Sequence, residues 1–161
     1  MINGIFKDYM ESRPNDTFIH YHNQNITYED MAYSLEGKIK SIQAINIQKD
    51  SVVGVYVDNG LDLTELLFAC IEVQAIPLII PFTFTPNEIG SICSEVKFDY
   101  FITNWNKSKN LKNMGIPTFP IEELSPSIGG CAPSKTINHS LNQVACLLLT
   151  SGTLGKPKIV Q

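Results

Sequence analysis

The sequence predicts an α/β fold: a doubly wound, mostly parallel sheet with helices on both faces. Three observations point there. Val52-Val53-Gly54-Val55-Tyr56-Val57 is nearly continuous in β-branched and aromatic residues, the pattern of a strand buried on both sides. Ile76 to Ile80 is a second run of that kind. Between and after them lie stretches whose apolar residues recur at helical spacing, and strands alternating with amphipathic helices build parallel sheets covered on both faces. Crossovers of this type are right-handed, which leaves the strand order open.

Taken in order, Ile5, Phe6, Tyr9 and Met10 recur at helical spacing, and Pro14 closes that first helix. Thr17 to Tyr21 alternates as a strand, Asn23-Gln24-Asn25 reads as a turn, and Ile26-Thr27 pairs back as a hairpin. Thr27, with Asp30 three residues on, opens a long helix lined by Met31, Leu35, Ile39 and Ile42. After the Val52 strand, Asp58-Asn59-Gly60 turns into a helix carrying Leu63, Leu66, Leu67, Cys70, Ile71 and Gln74 on its buried side. Thr85-Pro86-Asn87-Glu88 joins three helix-start signals: a hydroxyl N-cap, proline at the first position and an acid closing the box. Ile89, Ile92, Cys93 and Val96 form that helix's stripe. Tyr100-Phe101-Ile102-Thr103 reads as a strand, the polar residues through Asn113 as a loop, and Ser125 to Ser140 as a surface loop.

Composition narrows the function classes. With 161 residues, 43% hydrophobic and 17% charged, the chain can bury a sizeable core. A formal net charge of −4 and no basic run argue against nucleic acid as a partner. The start of the chain lacks a charged n-region and a long apolar h-region, and Pro77 and Pro81 interrupt its longest apolar stretch. A cytoplasmic protein with no membrane span is expected. Cys70, Cys93, Cys131 and Cys146 show no C-x-x-C pair, and Cys70 and Cys146 sit in apolar runs as buried small residues. His20 and His22 could share one strand face, but without a third ligand a surface or hydrogen-bonded role outweighs a metal pair.

The chemistry concentrates at the end of the chain. The apolar run Val144 to Leu149 leads into Thr150-Ser151-Gly152-Thr153-Leu154-Gly155-Lys156-Pro157-Lys158, followed by Ile159-Val160. Glycines permit close backbone approach, so several N–H groups can converge on one anion. The hydroxyls of Thr150, Ser151 and Thr153 add donors, and Lys156 and Lys158 add positive charge. This suits a phosphate chain. It differs from the common P-loop, which needs G-x-x-x-x-G-K-[ST] and a helix behind it. Here Pro157 disfavours helical geometry at Lys156, so strand, phosphate-sized loop and returning strand are expected.

That stretch resembles the T-S-G-T-[TS]-G-x-P-K-G signature of the adenylate-forming superfamily, which includes acyl-CoA synthetases, amino-acid adenylation domains and luciferases. Leu154 stands where the family usually has a second hydroxyl, and Ile159 where it usually has glycine. The resemblance covers essentially the whole chain. Ile26-Thr27-Tyr28-Glu29-Asp30-Met31 is similar to the family's T-Y-x-E-L helix start, and Gln48 to Val55 to its G-D-x-V-A-I strand. Thr85-Pro86-Asn87-Glu88-Ile89 follows in order, while Gln74-Ala75 replaces the usual glycine before the Pro77 strand.

The resemblance implies a ligase that joins a carboxylate to ATP, giving an acyl-adenylate and pyrophosphate, and then passes the acyl group to a thiol. It implies Thr150, Ser151, Gly152, Thr153, Gly155, Lys156 and Lys158 as phosphate-contacting residues, with ATP, Mg2+ and coenzyme A as cofactors. Small-molecule carboxylates are the implied partners. The family's adenine-binding stretch, metal-holding acid and late catalytic lysine have no match within residues 1–161, so no catalytic or metal residue is assigned. The chain therefore reads as the N-terminal subdomain of an AMP-binding domain, ending at the phosphate-loop hairpin and inactive alone. Phe82 to Ile89 resembles the acyl- and aryl-CoA ligases more than the amino-acid or carrier-protein adenylation domains, which are the second reading. A truncated, non-catalytic remnant is the third.

Overall fold

The computed structural model describes residues 8–58, 60–112, 114–124, 144–150 and 158–160. Residues 8–12 are helical. A hairpin follows, β1 (Thr17–Tyr21) and β2 (Gln24–Thr27), paired antiparallel. Its turn falls one residue earlier than the sequence suggests. His22 and Asn23 take positive φ values of 45° and 63°, and Gln24 is already in the strand.

Helix α1 (Tyr28–Ala44) starts at the capping box anticipated from Thr27 and Asp30. The Asp30 amide donates to Thr27 Oγ1 at 3.1 Å, and the Asp30 carboxylate accepts from the Thr27 amide at 3.0 Å. Strand β3 (Val52–Tyr56), helix α2 (Leu61–Glu72) and strand β4 (Ile76–Ile79) form the first parallel crossover. Helix α2 stops short of Gln74, whose φ of 62° is left-handed. This is where the family resemblance leads one to expect glycine, the residue that meets such a φ without strain.

Helix α3 (Pro86–Glu95) repeats the capping box, with Thr85 as cap and Glu88 as partner. Strand β5 (Tyr100–Thr103) lies parallel to β3 on the side away from β4. Two elements then depart from expectation. The stretch read as a polar loop contains helix α4 (Trp105–Lys112), and strand β6 (Thr118–Pro120) pairs parallel with β5 before a 3-10 turn, Ile121–Glu123. The helix was hidden because Trp105 is exposed and, among the described side chains it buries, Leu111 is apolar but Ser108 is not. Its start is fixed from outside, by the Glu122 carboxylate accepting from the Trp105 amide at 2.9 Å.

The four-stranded order is β4-β3-β5-β6. Alternation along β3 sends Val53 and Val55 to one face, where Ile39 and Ile42 of α1 and Leu66, Ala69 and Cys70 of α2 cover them. Gly54 and Tyr56 fall on the other. There Tyr56, Leu78 and Phe101 pack with Ile89 and Ile92 of α3 and Leu111 of α4. Helices on both faces are thus as expected. Burial pushes the Cys70 thiol up to about 12, so it behaves as an inert core residue.

The two capping boxes give a pH prediction. Hydrogen bonds from Thr27 hold the Asp30 carboxyl below the ordinary carboxylate range, and bonds from Thr85 do the same for Glu88. A folded-state pKa below the unfolded one adds stability above the unfolded value and loses it as pH falls through the folded value. The double variant Thr27→Val, Thr85→Val is expected to melt lower than wild type at neutral pH. Thermal melts across an acid series should show the gap narrowing as both carboxyls protonate. A gap of constant size would refute the linkage.

Candidate functional site

The closing stretch does form two strands. Strand β7 (Leu148–Thr150) pairs antiparallel with β8 (Lys158–Val160), in the register Leu148 to Val160, Leu149 to Ile159 and Thr150 to Lys158. The register follows from the side-chain pattern. Leu149 and Ile159 pack on the core that holds Tyr56, Leu78 and Phe101. Leu148 and Val160, on the alternate positions, are exposed by 46% and 42%.

Thr150 and Lys158 therefore form the last rung before residues 151–157. The structure brings these two predicted site residues opposite each other. Ser151, Gly152, Thr153, Gly155 and Lys156 lie outside the described residues, as does Leu154.

The strands are held to the sheet by a short parallel contact. Leu147 bridges Leu78; its amide donates to the Pro77 carbonyl at 2.8 Å and its carbonyl accepts from the Ile79 amide at 3.3 Å. Pro77 has no N–H to donate on that side, so the ladder cannot extend back toward residue 145. The contact delivers Thr150 to the carboxyl end of the sheet. In open α/β sheets this is the end where ligands bind.

Beside it stands a cluster that the sequence did not reveal. Tyr56, the last residue of β3, donates its hydroxyl to the Phe84 carbonyl at 2.6 Å. Lys107 Nζ donates to the Tyr56 hydroxyl at 3.0 Å and lies 4.7 Å from the Phe82 ring centroid. Lys107 sits in the stretch read as loop, so only the spacing of α4, once seen, could have pointed to it.

A cleft of about 560 Å³ opens elsewhere, lined by Asn25, Asp30, Ser34 and Glu65 among others. It belongs to the face of the sheet covered by α1 and α2, whereas β7 and β8 pack on the opposite core. Asp30 is engaged in the cap, and Glu65 accepts from Ser34 and faces Lys38. His20 is likewise engaged, its Nδ1 lying 2.6 Å from Asn25 Oδ1, while His22 meets the Tyr21 ring edge-on. Among the described residues no three His, Cys, Asp or Glu side chains come together as a metal site, and no helix is long and apolar enough to cross a membrane.

A family model described as AMP-binding enzyme matches residues 6–161. The chain belongs to the AMP-binding enzyme family. Vanchrobactin synthetase VabF of Vibrio anguillarum is 23% identical over 158 residues, covering 96% of this chain and 6% of that protein. The N-terminal subdomain of NpsA from Klebsiella oxytoca, solved with 3-hydroxyanthranilyl-AMSN, superposes with a TM-score of 0.83 at 19% identity. That match covers 99% of this chain and 39% of the other. The o-succinylbenzoate CoA synthetase MenE of Bacillus subtilis, solved with the acyl-adenylate OSB-AMP, gives 0.82 at 18% identity, covering 97% and 32%. These structural likenesses establish the fold, which is shared with part of each of those two chains. The AMP-binding family member described here spans only a small part of its curated relatives, 6%, 12% and 2% of their lengths.

Proposed function

We propose that the chain supplies the triphosphate-gripping part of an ATP-dependent carboxylate-adenylating ligase. The carrying observation is the Thr150–Lys158 rung, which brackets the signature residues at the carboxyl end of the parallel sheet. In this reading Thr150, Ser151, Gly152, Thr153, Gly155, Lys156 and Lys158 bind the β- and γ-phosphates through amides, hydroxyls and ammonium groups. Donors fixed before reaction cost no reorganisation as charge moves onto the departing pyrophosphate. Mg2+ would shield the same phosphates when bound. Its ligands are assigned to no residue here.

The full reaction proposed is carboxylate plus ATP to acyl-AMP plus pyrophosphate, then thioester formation on coenzyme A, in the cytoplasm. The Phe82 to Ile89 pattern and the likeness to a CoA synthetase favour that acceptor. The second reading is amino-acid or carrier-protein adenylation, which the likeness to vanchrobactin synthetase leaves open. We place residues 1–161 as the N-terminal subdomain of an AMP-binding domain, without complete adenylation activity of its own.

Calorimetric titration of the 161-residue chain with MgATP and with pyrophosphate tests the grip. Both are expected to bind, and Thr150→Val with Lys158→Ala should weaken both by about tenfold or more, the loss of one or two charge-assisted bonds. No heat of binding at millimolar ligand would sink the reading. Carboxylate-dependent ATP–pyrophosphate exchange by this chain would refute the claim that it is inactive alone.

A further inference from the structure

The turn that follows β4 is pinned from three directions. The Phe84 amide donates to the Pro81 carbonyl at 2.9 Å, closing the turn on itself. The Tyr56 hydroxyl reaches the Phe82 carbonyl at 3.3 Å as well as that of Phe84. Lys107 Nζ, from α4, meets the Tyr56 hydroxyl and lies 3.5 Å from the Phe82 carbonyl, with the Tyr56 and Phe82 ring centroids 5.2 and 4.7 Å away. An ammonium over the Phe82 ring, in a half-buried site, gains from that π face while its protons serve the Tyr56 hydroxyl at the edge of the second ring.

This pinned turn flanks the strand that leads to the signature. Strand β7 runs parallel to β4 through the Leu78–Leu147 bridge, and the same register carried forward sets Thr150 level with Pro81. Phe82, Phe84, Leu149 and Ile159 all pack on the one core cluster that contains Tyr56. The turn and β7 therefore rest on one shared core, and a shift of the turn reaches β7 through it.

We propose that Lys107 is a positioning residue: by clamping the turn at residues 81–84 through Tyr56, it sets where β7 presents Thr150 to a nucleotide. The proposal rests on the triphosphate reading given above. Lys107 acts through Tyr56 and the turn, and it is not assigned contact with the ligand.

The test compares wild type, Lys107→Met and Lys107→Arg by MgATP titration and by amide hydrogen exchange over residues 80–85. Met keeps the apolar stem and removes the donors, whereas Arg keeps the charge, the donors and the stacking. Lys107→Met is expected to bind MgATP roughly five- to tenfold more weakly, with faster exchange at those amides, and Lys107→Arg to restore both. Thr27→Val serves as a control that lowers stability far from the turn and should leave affinity unchanged. Equal affinity in wild type and Lys107→Met overturns the clamp while leaving the triphosphate reading intact. Weakened binding with unchanged exchange at residues 80–85 overturns it too, since the lysine would then act on the ligand. Failure of wild type to bind MgATP removes the triphosphate reading and the clamp with it.

Discussion

Lys38→Met is expected to destabilise the fold by about 3 kcal/mol, within the range seen when one member of a buried ion pair is removed. The Lys38 side chain is 3% exposed, on a face of α1 packed against α2. Its Nζ lies 3.6 Å from Glu65 Oε2 and 3.3 Å from Asp62 Oδ1. Glu65 is nearly as buried, at 7%, and also accepts a hydrogen bond from the Ser34 hydroxyl. Asp62, at 62% exposure, can return to water when its partner goes. Glu65 cannot. The loss comes from a carboxylate left in the interior with one hydroxyl for company, more than from the attraction removed.

That argument makes a second, sharper expectation. The double variant Lys38→Met, Glu65→Leu removes both buried charges, and apolar replacement of a whole buried pair is often neutral or stabilising. It should therefore recover most of the stability lost in Lys38→Met, with a coupling energy of roughly 1–3 kcal/mol in the double-mutant cycle. Urea unfolding of the four proteins measures this. If Lys38→Met costs less than about 1 kcal/mol, or the double variant is worse than either single, the cluster is not an isolated buried pair.

Which features could be read in advance follows from where their causes lie along the chain. The capping boxes at Thr27 and Thr85 are local, each complete within four residues, and both are present as anticipated. Strands β3 and β5 announce themselves because they are buried on both faces. Helix α4 does not, because the Glu122 that holds its first amide comes from a separate segment. Strand β6 has three residues and ends on Pro120, too short for any alternation to register. Glu65 falls outside the apolar stripe read for its helix, and the packing of α1 on α2 buries it. The same limit applies at the site. The signature was legible as a string and so was the strand that returns after it, but the register that pairs Thr150 with Lys158 was not, and the Tyr56, Phe82 and Lys107 cluster joins three distant segments.

Gly54→Ala should unfold the domain more readily, by about 1–3 kcal/mol, the usual cost of overpacking a tight core. Gly54 sits mid-strand in β3, paired with Leu78 on one side and Phe101 on the other. A Cβ added there would overlap the Phe101 ring, with even Cζ only 2.9 Å away. Phe101 is wholly buried and in contact with the Phe98 ring, at a centroid distance of 4.7 Å, so it has no empty space to move into. The glycine is therefore needed for the close approach of the ring, in spite of the entropy that glycine costs within a strand. Shrinking the ring should offset the added methyl: Gly54→Ala with Phe101→Leu is expected to be more stable than Phe101→Leu alone, because the methyl then fills space the ring has vacated. Denaturant midpoints of the three variants decide it. Gly54→Ala at wild-type stability would mean that the sheet gives way at little cost between β3 and β5. The same yielding would reach Tyr56, two residues further along β3, and with it the turn that shares a core with β7.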